Sequence, residues 1–113
     1  MGTAAYMSPE QVSGDGCIDA RSDIYSLGCT VYHMLAGEPP FAGSTAQAVL
    51  VRRLTEEVRP LRRARERVSP RLDQVITQML ARVPADRFQS ADDVHAALSA
   101  ADIASPLERS RHR

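Results

Sequence analysis

Few residue types in this 113-residue chain are equipped for chemistry, and the missing type is the most informative. All fourteen basic residues are Arg, and Lys is absent. Mechanisms built on an amine are therefore closed, among them Schiff bases and the phosphate-holding lysine of a P-loop. His33, His95 and His112 have no metal-ligand spacing, and His33 reads as a structural residue on a helix. Cys17 and Cys29 form no CxxC. Neither a cysteine zinc site nor a disulfide framework is expected, and a reducing compartment is. Cys29 sits in an apolar stretch and reads as an inert core thiol. Arg59, Arg62, Arg63, Arg65 and Arg67 make a basic run. Such runs are usually solvated faces, with an acidic partner or a phosphate as the alternative. Fourteen acidic residues balance the fourteen Arg, so the net charge is zero. That argues against sequence-blind binding of nucleic acid, which needs a basic footprint.

Whatever these residues do, helices must position them. Apolar residues make up 43% and charged residues 25%, the composition of a soluble globular domain. No apolar run approaches the ~20 residues of a membrane helix. Met1 to Tyr6 lack the basic and apolar regions of a signal peptide. Ser8, Pro9 and Gln11 supply an N-cap, a first-turn proline and a capping box, and Gly14 and Gly16 end that helix. Ser22 to Ala36 is the most apolar stretch, with Ile24, Leu27, Gly28, Val31 and Leu35 on one helical face. Tyr25, Cys29, Tyr32 and Met34 lie off that face, so the helix is expected to be buried nearly all round, up to Gly37 and the prolines 39 and 40. Ser44 with Gln47 reads as a second capping box, opening a mostly surface helix with a narrow stripe of Ala46, Val49, Leu50 and Leu54. Residues 55–68 read as charged and irregular. Ser69 and Pro70 start a helix carrying Leu72, Val75, Ile76, Met79, Leu80 and Val83, stopped by Pro84. Ser90 caps a last helix with Val94, Ala97, Leu98 and Ala101 inward. The expected fold class is all-α with about five helices, over residues 1–101, followed by a polar and disordered tail over 102–113.

Four segments, in order, add meaning to this small helical domain. Gly2-Thr3-Ala4-Ala5-Tyr6-Met7-Ser8-Pro9-Glu10 resembles the end of a protein-kinase activation segment, G-T-x-x-Y-M-[AS]-P-E. Asp23-Ile24-Tyr25-Ser26-Leu27-Gly28 is similar to the start of the central helix in that family. Gly37-Glu38-Pro39-Pro40-Phe41 resembles the G-x-x-P-F that follows it, and Pro84-Ala85-Asp86-Arg87-Phe88 the P-x-x-R-[FP] before the last helix. Val83 departs from the pattern, standing where the family usually has Asp or Asn. The match covers residues 2 to about 101 and is best with bacterial serine/threonine kinases of the eukaryotic type.

The resemblance implies the lower, helical half of a kinase C-terminal lobe, and a family reaction that moves the γ-phosphoryl group of ATP, with Mg²⁺, onto Ser or Thr of a protein. It implies that Gly2 and Thr3 belong to the substrate-seating P+1 loop, where the threonine hydroxyl bonds the catalytic aspartate; the alternative for Thr3 is a loop hydroxyl bonded to its own backbone. It implies that Glu10 and Arg87 form a buried ion pair, against the alternative of a solvated first-turn glutamate. It implies that Asp23 anchors the central helix; with the catalytic loop absent, capping that helix together with Ser22 is the expected role. The Gly-rich loop, strand lysine, catalytic loop and metal-binding aspartate have no counterpart in the sequence. No catalytic residue, no metal ligand and no cofactor of its own is therefore expected in this chain. Its expected partners are a protein substrate or the missing N-terminal kinase portion, with no nucleic acid and no membrane segment, in the cytoplasm. The expected status is an inactive part of a kinase; the alternatives are a non-catalytic docking module and the product of a truncated gene.

Overall fold

A computed structural model describes residues 6–14, 18–64 and 67–111. The chain is all-α, and among the described residues there is no strand. Six helices follow in order: α1 Pro9–Ser13, α2 Ala20–Ala36, α3 Ala46–Thr55, α4 Leu61–Ala64, α5 Pro70–Met79 and α6 Ala91–Arg111. A 3-10 turn at Pro84–Asp86 joins the last two.

The caps explain most boundaries. Ser8 accepts from the Gln11 amide, and the Gln11 side chain accepts from the Ser8 amide, which closes the capping box. Ser69 Oγ accepts from the Leu72 amide ahead of Pro70, and Ser90 Oγ from the Asp93 amide. Gly14 and Gly37 close α1 and α2 with φ of 73° and 85°, the left-handed geometry that glycine adopts without a Cβ clash.

Elsewhere the local signals mislead. α2 begins three residues before Asp23, capped by Asp19, whose carboxylate accepts from the Arg21 amide at 2.9 Å. Ser22 is thereby freed from capping. The cap of α3 is Thr45, not Ser44, with its hydroxyl accepting from Ala48. Within the stretch read as irregular, α4 forms, and its Leu61 amide donates to Asp73 of α5. α5 stops at Met79, well before Pro84, so Val83 leaves the apolar stripe and is 52% exposed. α6 runs ten residues past Ala101, the boundary read from the sequence.

α2 lies at the centre, packed on α5, α4 and α6. Its buried face is Ile24, Tyr25, Gly28, Cys29 and Tyr32, turned from the expected stripe, while Leu27 and Met34 are exposed. Val75, Ile76, Met79 and Leu80 meet it from α5, and Val94 from α6. The crossing of α2 and α5 is close because Gly28 lacks a side chain. A Cβ there would lie 2.9 Å from Met79 Cβ and 3.1 Å from Leu80 Cδ2. Met79 Cβ is fixed to its backbone and cannot swing away, so the helices would have to part. Overpacking of this kind costs about 1–3 kcal/mol, against about 1 kcal/mol gained from better helix propensity. Gly28→Ala is therefore expected to lose about 1 kcal/mol in urea unfolding and Gly28→Val more. A stabilised Gly28→Ala would show that the crossing has room.

Candidate functional site

The polar centre of the domain forms where α1 meets the start of α2 and the turn before α6. Glu10, in the first turn of α1, is 8% exposed at its side chain, and Arg87 is fully enclosed. The Arg87 guanidinium grips the carboxylate with two prongs: Nη1 donates to Oε2 at 2.6 Å and Nη2 to Oε1 at 2.8 Å. Ser22 Oγ donates to the same Oε2 at 2.6 Å. Arg87 uses its remaining N–H groups on backbone carbonyls, Nε on Ala81, Nη1 on Arg21 and Nη2 on Arg82. All five guanidinium donors are thus satisfied, the condition under which a buried charge is tolerated. Burial by itself pushes the Glu10 carboxyl up; the hydrogen bonds from Arg87 and Ser22 outweigh it and hold the group at about 2.

Arg87 also stacks 4.8 Å above the ring of Tyr25, and Arg53 of α3 approaches the same ring at 5.8 Å. Arg53 Nε donates to the Tyr25 hydroxyl at 3.2 Å, and its guanidinium lies 5.7 Å from the Phe41 ring. The one fully buried side chain of α3 is therefore an arginine, on the helix read as mostly surface, while Leu54 is exposed. Tyr25 and Phe41 give the guanidinium flat faces to stack on, which hydrophobic periodicity does not register. Burial pushes the Tyr25 hydroxyl up to about 12, so it stays neutral and able to accept.

The other sequence-derived residues divide cleanly. Gly2 and Thr3 lie outside the described residues, as do Cys17, Arg65 and His112. Asp23 is exposed in the first turn of α2, where the capping expected of it falls to Asp19. Cys29 is buried against the core, and burial pushes its thiol up to about 12, the inert state. Arg59 pairs with Glu38 at 3.5 Å on the surface, where Arg62, Arg63 and Arg67 are exposed too. Sequence reasoning missed Ser22 as a partner of Glu10 and missed Ser26; it read His33 as a structural residue on the helix, without its partner. Ser26 Oγ donates to the Tyr6 carbonyl at 2.6 Å, and the Tyr6 hydroxyl lies 2.8 Å from His33 Nδ1. The available signal was a polar stripe: Ser22, Ser26 and His33 share one face of an otherwise apolar helix.

Nothing in this arrangement suits Mg²⁺ and a nucleoside triphosphate. Among the described residues no three His, Cys, Asp or Glu side chains converge as metal ligands. A cavity of about 370 Å³ between α3 and the end of α5 contains Arg53 and Arg82 in its lining, but also Glu56, Glu57 and Asp86. Arg82 is paired with Glu57 at 3.3 Å and Glu56 with Arg52 at 3.2 Å, so the guanidinium of Arg82 is already engaged by a carboxylate of the same wall. Among the described residues no helix is long and apolar enough to cross a membrane.

An all-α lobe whose N-terminal segment is pinned by a buried Glu–Arg pair to the turn before the last helix, with Ser22 of the central helix joining the pair, resembles the lower half of a protein-kinase catalytic domain. Residues 1–98 match the protein kinase domain family, and the chain belongs to that family. It is similar to the serine/threonine-protein kinase PknB of Mycolicibacterium smegmatis, 46% identical over 98 residues, covering 87% of this chain and 16% of the relative. It is 43% identical to the serine/threonine-protein kinase PknL of Mycobacterium tuberculosis over 100 residues, 88% of this chain and 25% of that one. Among solved structures it resembles the twitchin kinase region from C. elegans, with a TM-score of 0.73 and 26% identity, over 87% of this chain and 16% of that one. The chain thus spans a quarter or less of the length of these relatives.

Proposed function

We propose that this chain is the substrate-side part of a serine/threonine protein kinase. It contributes, within a longer catalytic unit, to phosphorylation of Ser or Thr in a protein. The observation that carries this reading is the Glu10–Arg87 grip. It fixes the segment that follows Gly2-Thr3-Ala4-Ala5 onto the lobe, as a substrate-seating loop requires. Residues 1–101 are assigned to the kinase lobe and 102–113 to an extension of it. Gly2 and Thr3 are assigned to substrate seating, and a small threonine there favours Ser and Thr over Tyr. Asp23, exposed within this chain, is assigned to meeting the catalytic loop of the N-terminal portion. ATP and Mg²⁺ belong to that portion, which supplies positioned phosphates and charge neutralisation. A kinase works where ATP is, so the cytoplasm is the assigned compartment.

The test has two arms. The 113-residue chain with Mg²⁺, ATP and a basic protein substrate is expected to transfer no phosphate above background and to show no saturable ATP binding. Saturable binding at millimolar or lower ATP would overturn the assignment of nucleotide to other segments. A single-chain chimera, with residues 1–98 replacing the matched region of the M. smegmatis kinase, is expected to phosphorylate Ser or Thr. A folded but inactive chimera would overturn the kinase reading.

A further inference from the structure

Charge is segregated along this neutral chain. Residues 59–71 hold six Arg against one acidic residue, and the rest of the chain eight Arg against thirteen. Elsewhere on the described surface the arginines are paired: Arg21 with Asp19 at 3.0 Å, Arg52 with Glu56 at 3.2 Å, Arg82 with Glu57 at 3.3 Å. Within the stretch Arg59 meets Glu38 at 3.5 Å. Arg62, Arg63, Arg67 and Arg71 are exposed and, among the described residues, make no ion pair. The acidic residue of the stretch, Glu66, lies outside the described residues, and a single carboxylate cannot neutralise four guanidinium groups. The backbone beneath them is anchored. The Tyr32 hydroxyl donates to the Arg59 carbonyl at 2.9 Å, and the Leu61 amide donates to Asp73 Oδ1 at 3.0 Å, which holds α4 against the first turn of α5. Arg62 and Arg63 follow Leu61 directly, and Arg71 lies two residues before Asp73, so the four arginines leave from one corner of the lobe.

We propose that this corner, Arg62 and Arg63 of α4 with Arg67 and Arg71 at the start of α5, docks a phosphorylated segment of a protein substrate. A phosphoserine carries close to two negative charges at neutral pH and three strong acceptor oxygens. Guanidinium forks meet such oxygens with paired N–H bonds, and here there is no ion pair to break first. The large apolar residues of the stretch, Leu61 and Val68, are turned inward at 1% and 9% exposure, so the corner offers a lipid surface no apolar anchor. The source of the phosphate rests on the kinase reading: an enzyme that phosphorylates Ser and Thr is surrounded by its own phosphorylated products. A segment held here brings its remaining Ser and Thr to the same catalytic unit, so the patch favours substrates that already carry phosphate.

Binding to the 113-residue chain tests the patch without any need for activity. A short peptide carrying two phosphoserines is expected to bind about tenfold tighter than its unphosphorylated form, and to weaken as salt is raised. Arg62→Gln with Arg63→Gln is expected to remove most of that difference, as is Arg67→Gln with Arg71→Gln, while Arg82→Gln leaves it intact. All four positions are exposed, so urea unfolding of these variants is expected to match the native chain. Equal affinity for the two peptides, or a difference that survives both double variants, would overturn the proposal. So would tighter binding of phosphatidylglycerol vesicles than of the phosphopeptide, which would assign the arginines to a membrane surface. Equal binding of a peptide with aspartates in place of the phosphoserines would overturn the preference for phosphate. In the chimera, the KM for a substrate peptide already phosphorylated is expected to lie about fivefold below that for the same peptide without phosphate, and each double variant to erase that advantage with the KM for ATP unchanged. Equal KM values in an active chimera would overturn the role in substrate choice. A chimera inactive with its native residues would overturn the kinase reading, while phosphopeptide binding still decides the patch.

Discussion

Arg87→Gln is expected to cost about 3–5 kcal/mol of folding stability, because removing one partner of a buried pair strands the other charge. Glu10→Gln is expected to cost a similar amount, since the Arg87 guanidinium keeps its three carbonyl partners but loses its counter-charge. Against the ~5–15 kcal/mol that a whole domain has to lose, either change is severe. The double variant is expected to lose less than the sum of the singles by about 1–3 kcal/mol, because the second change removes a charge the first has stranded. Additive losses in urea unfolding would mean that the two groups contribute independently. The pair also predicts a pH dependence. The folded carboxyl of Glu10 titrates at about 2 rather than the ordinary 4.5, so its stabilising contribution is complete above 4.5 and is lost as pH falls towards 2. Asp19, lowered by hydrogen bonds from Arg21, acts in the same direction. The difference between the native chain and Glu10→Gln isolates the Glu10 contribution. It is expected to shrink steadily between pH 4.5 and 2 and to be flat above that window.

What the sequence discloses and what it hides follow from the range of the forces involved. Ser8 with Gln11, Ser69 with Pro70, Ser90 and Gly37 were legible because each solves a backbone problem within four residues of itself. The four kinase-like segments were legible because they are contiguous strings. Ser44 and Thr45 are adjacent and chemically equivalent as caps, so only the direction of entry into α3 decides between them. The rotation of α2 was hidden because large apolar residues occur on most of its sides, so periodicity marks no unique face. Gly28, where α5 crosses, settles the question by contact. Arg53 was hidden for the opposite reason: it is charged, and its burial depends on two rings that come from other parts of the chain. In the site itself, Glu10 and Arg87 were reachable only through the resemblance, being 77 positions apart. Ser26 was passed over, and Ser22 and His33 were read without their partners, because single polar residues on an apolar helix have many uses.

The isolated chain is expected to associate through the outer face of α2. Leu27 is 47% exposed and Met34 77%, and they lie seven residues apart, two turns along the same side of the helix. Val31 and Leu35 between and beside them are only half-buried. The opposite side of α2 is fully used by α5, α4 and α6, so within the described residues this side has no layer over it. Burying a large apolar side chain is worth about 1.5–3 kcal/mol, so two left exposed in water are a substantial driving force for any apolar cover. The cover we propose is the N-terminal portion of the kinase domain, which would also carry the nucleotide. Without it, the chain is expected to bind hydrophobic dyes and to run as oligomers on sizing columns. Leu27→Lys with Met34→Lys is expected to abolish both effects while changing unfolding free energy by less than about 1 kcal/mol, because exposed positions contribute little to the fold. Supplying the N-terminal portion of the M. smegmatis kinase in trans is expected to suppress dye binding by the native chain, and the double variant is expected not to bind that portion, because its two ammonium groups cannot be buried unpaired. A native chain that is monomeric and dye-silent at micromolar concentration would show that this face is stable in water as it stands. The α2 stripe would then have to be explained by packing inside the lobe alone, with Ile24, Tyr25, Gly28, Cys29 and Tyr32 carrying the helix's burial.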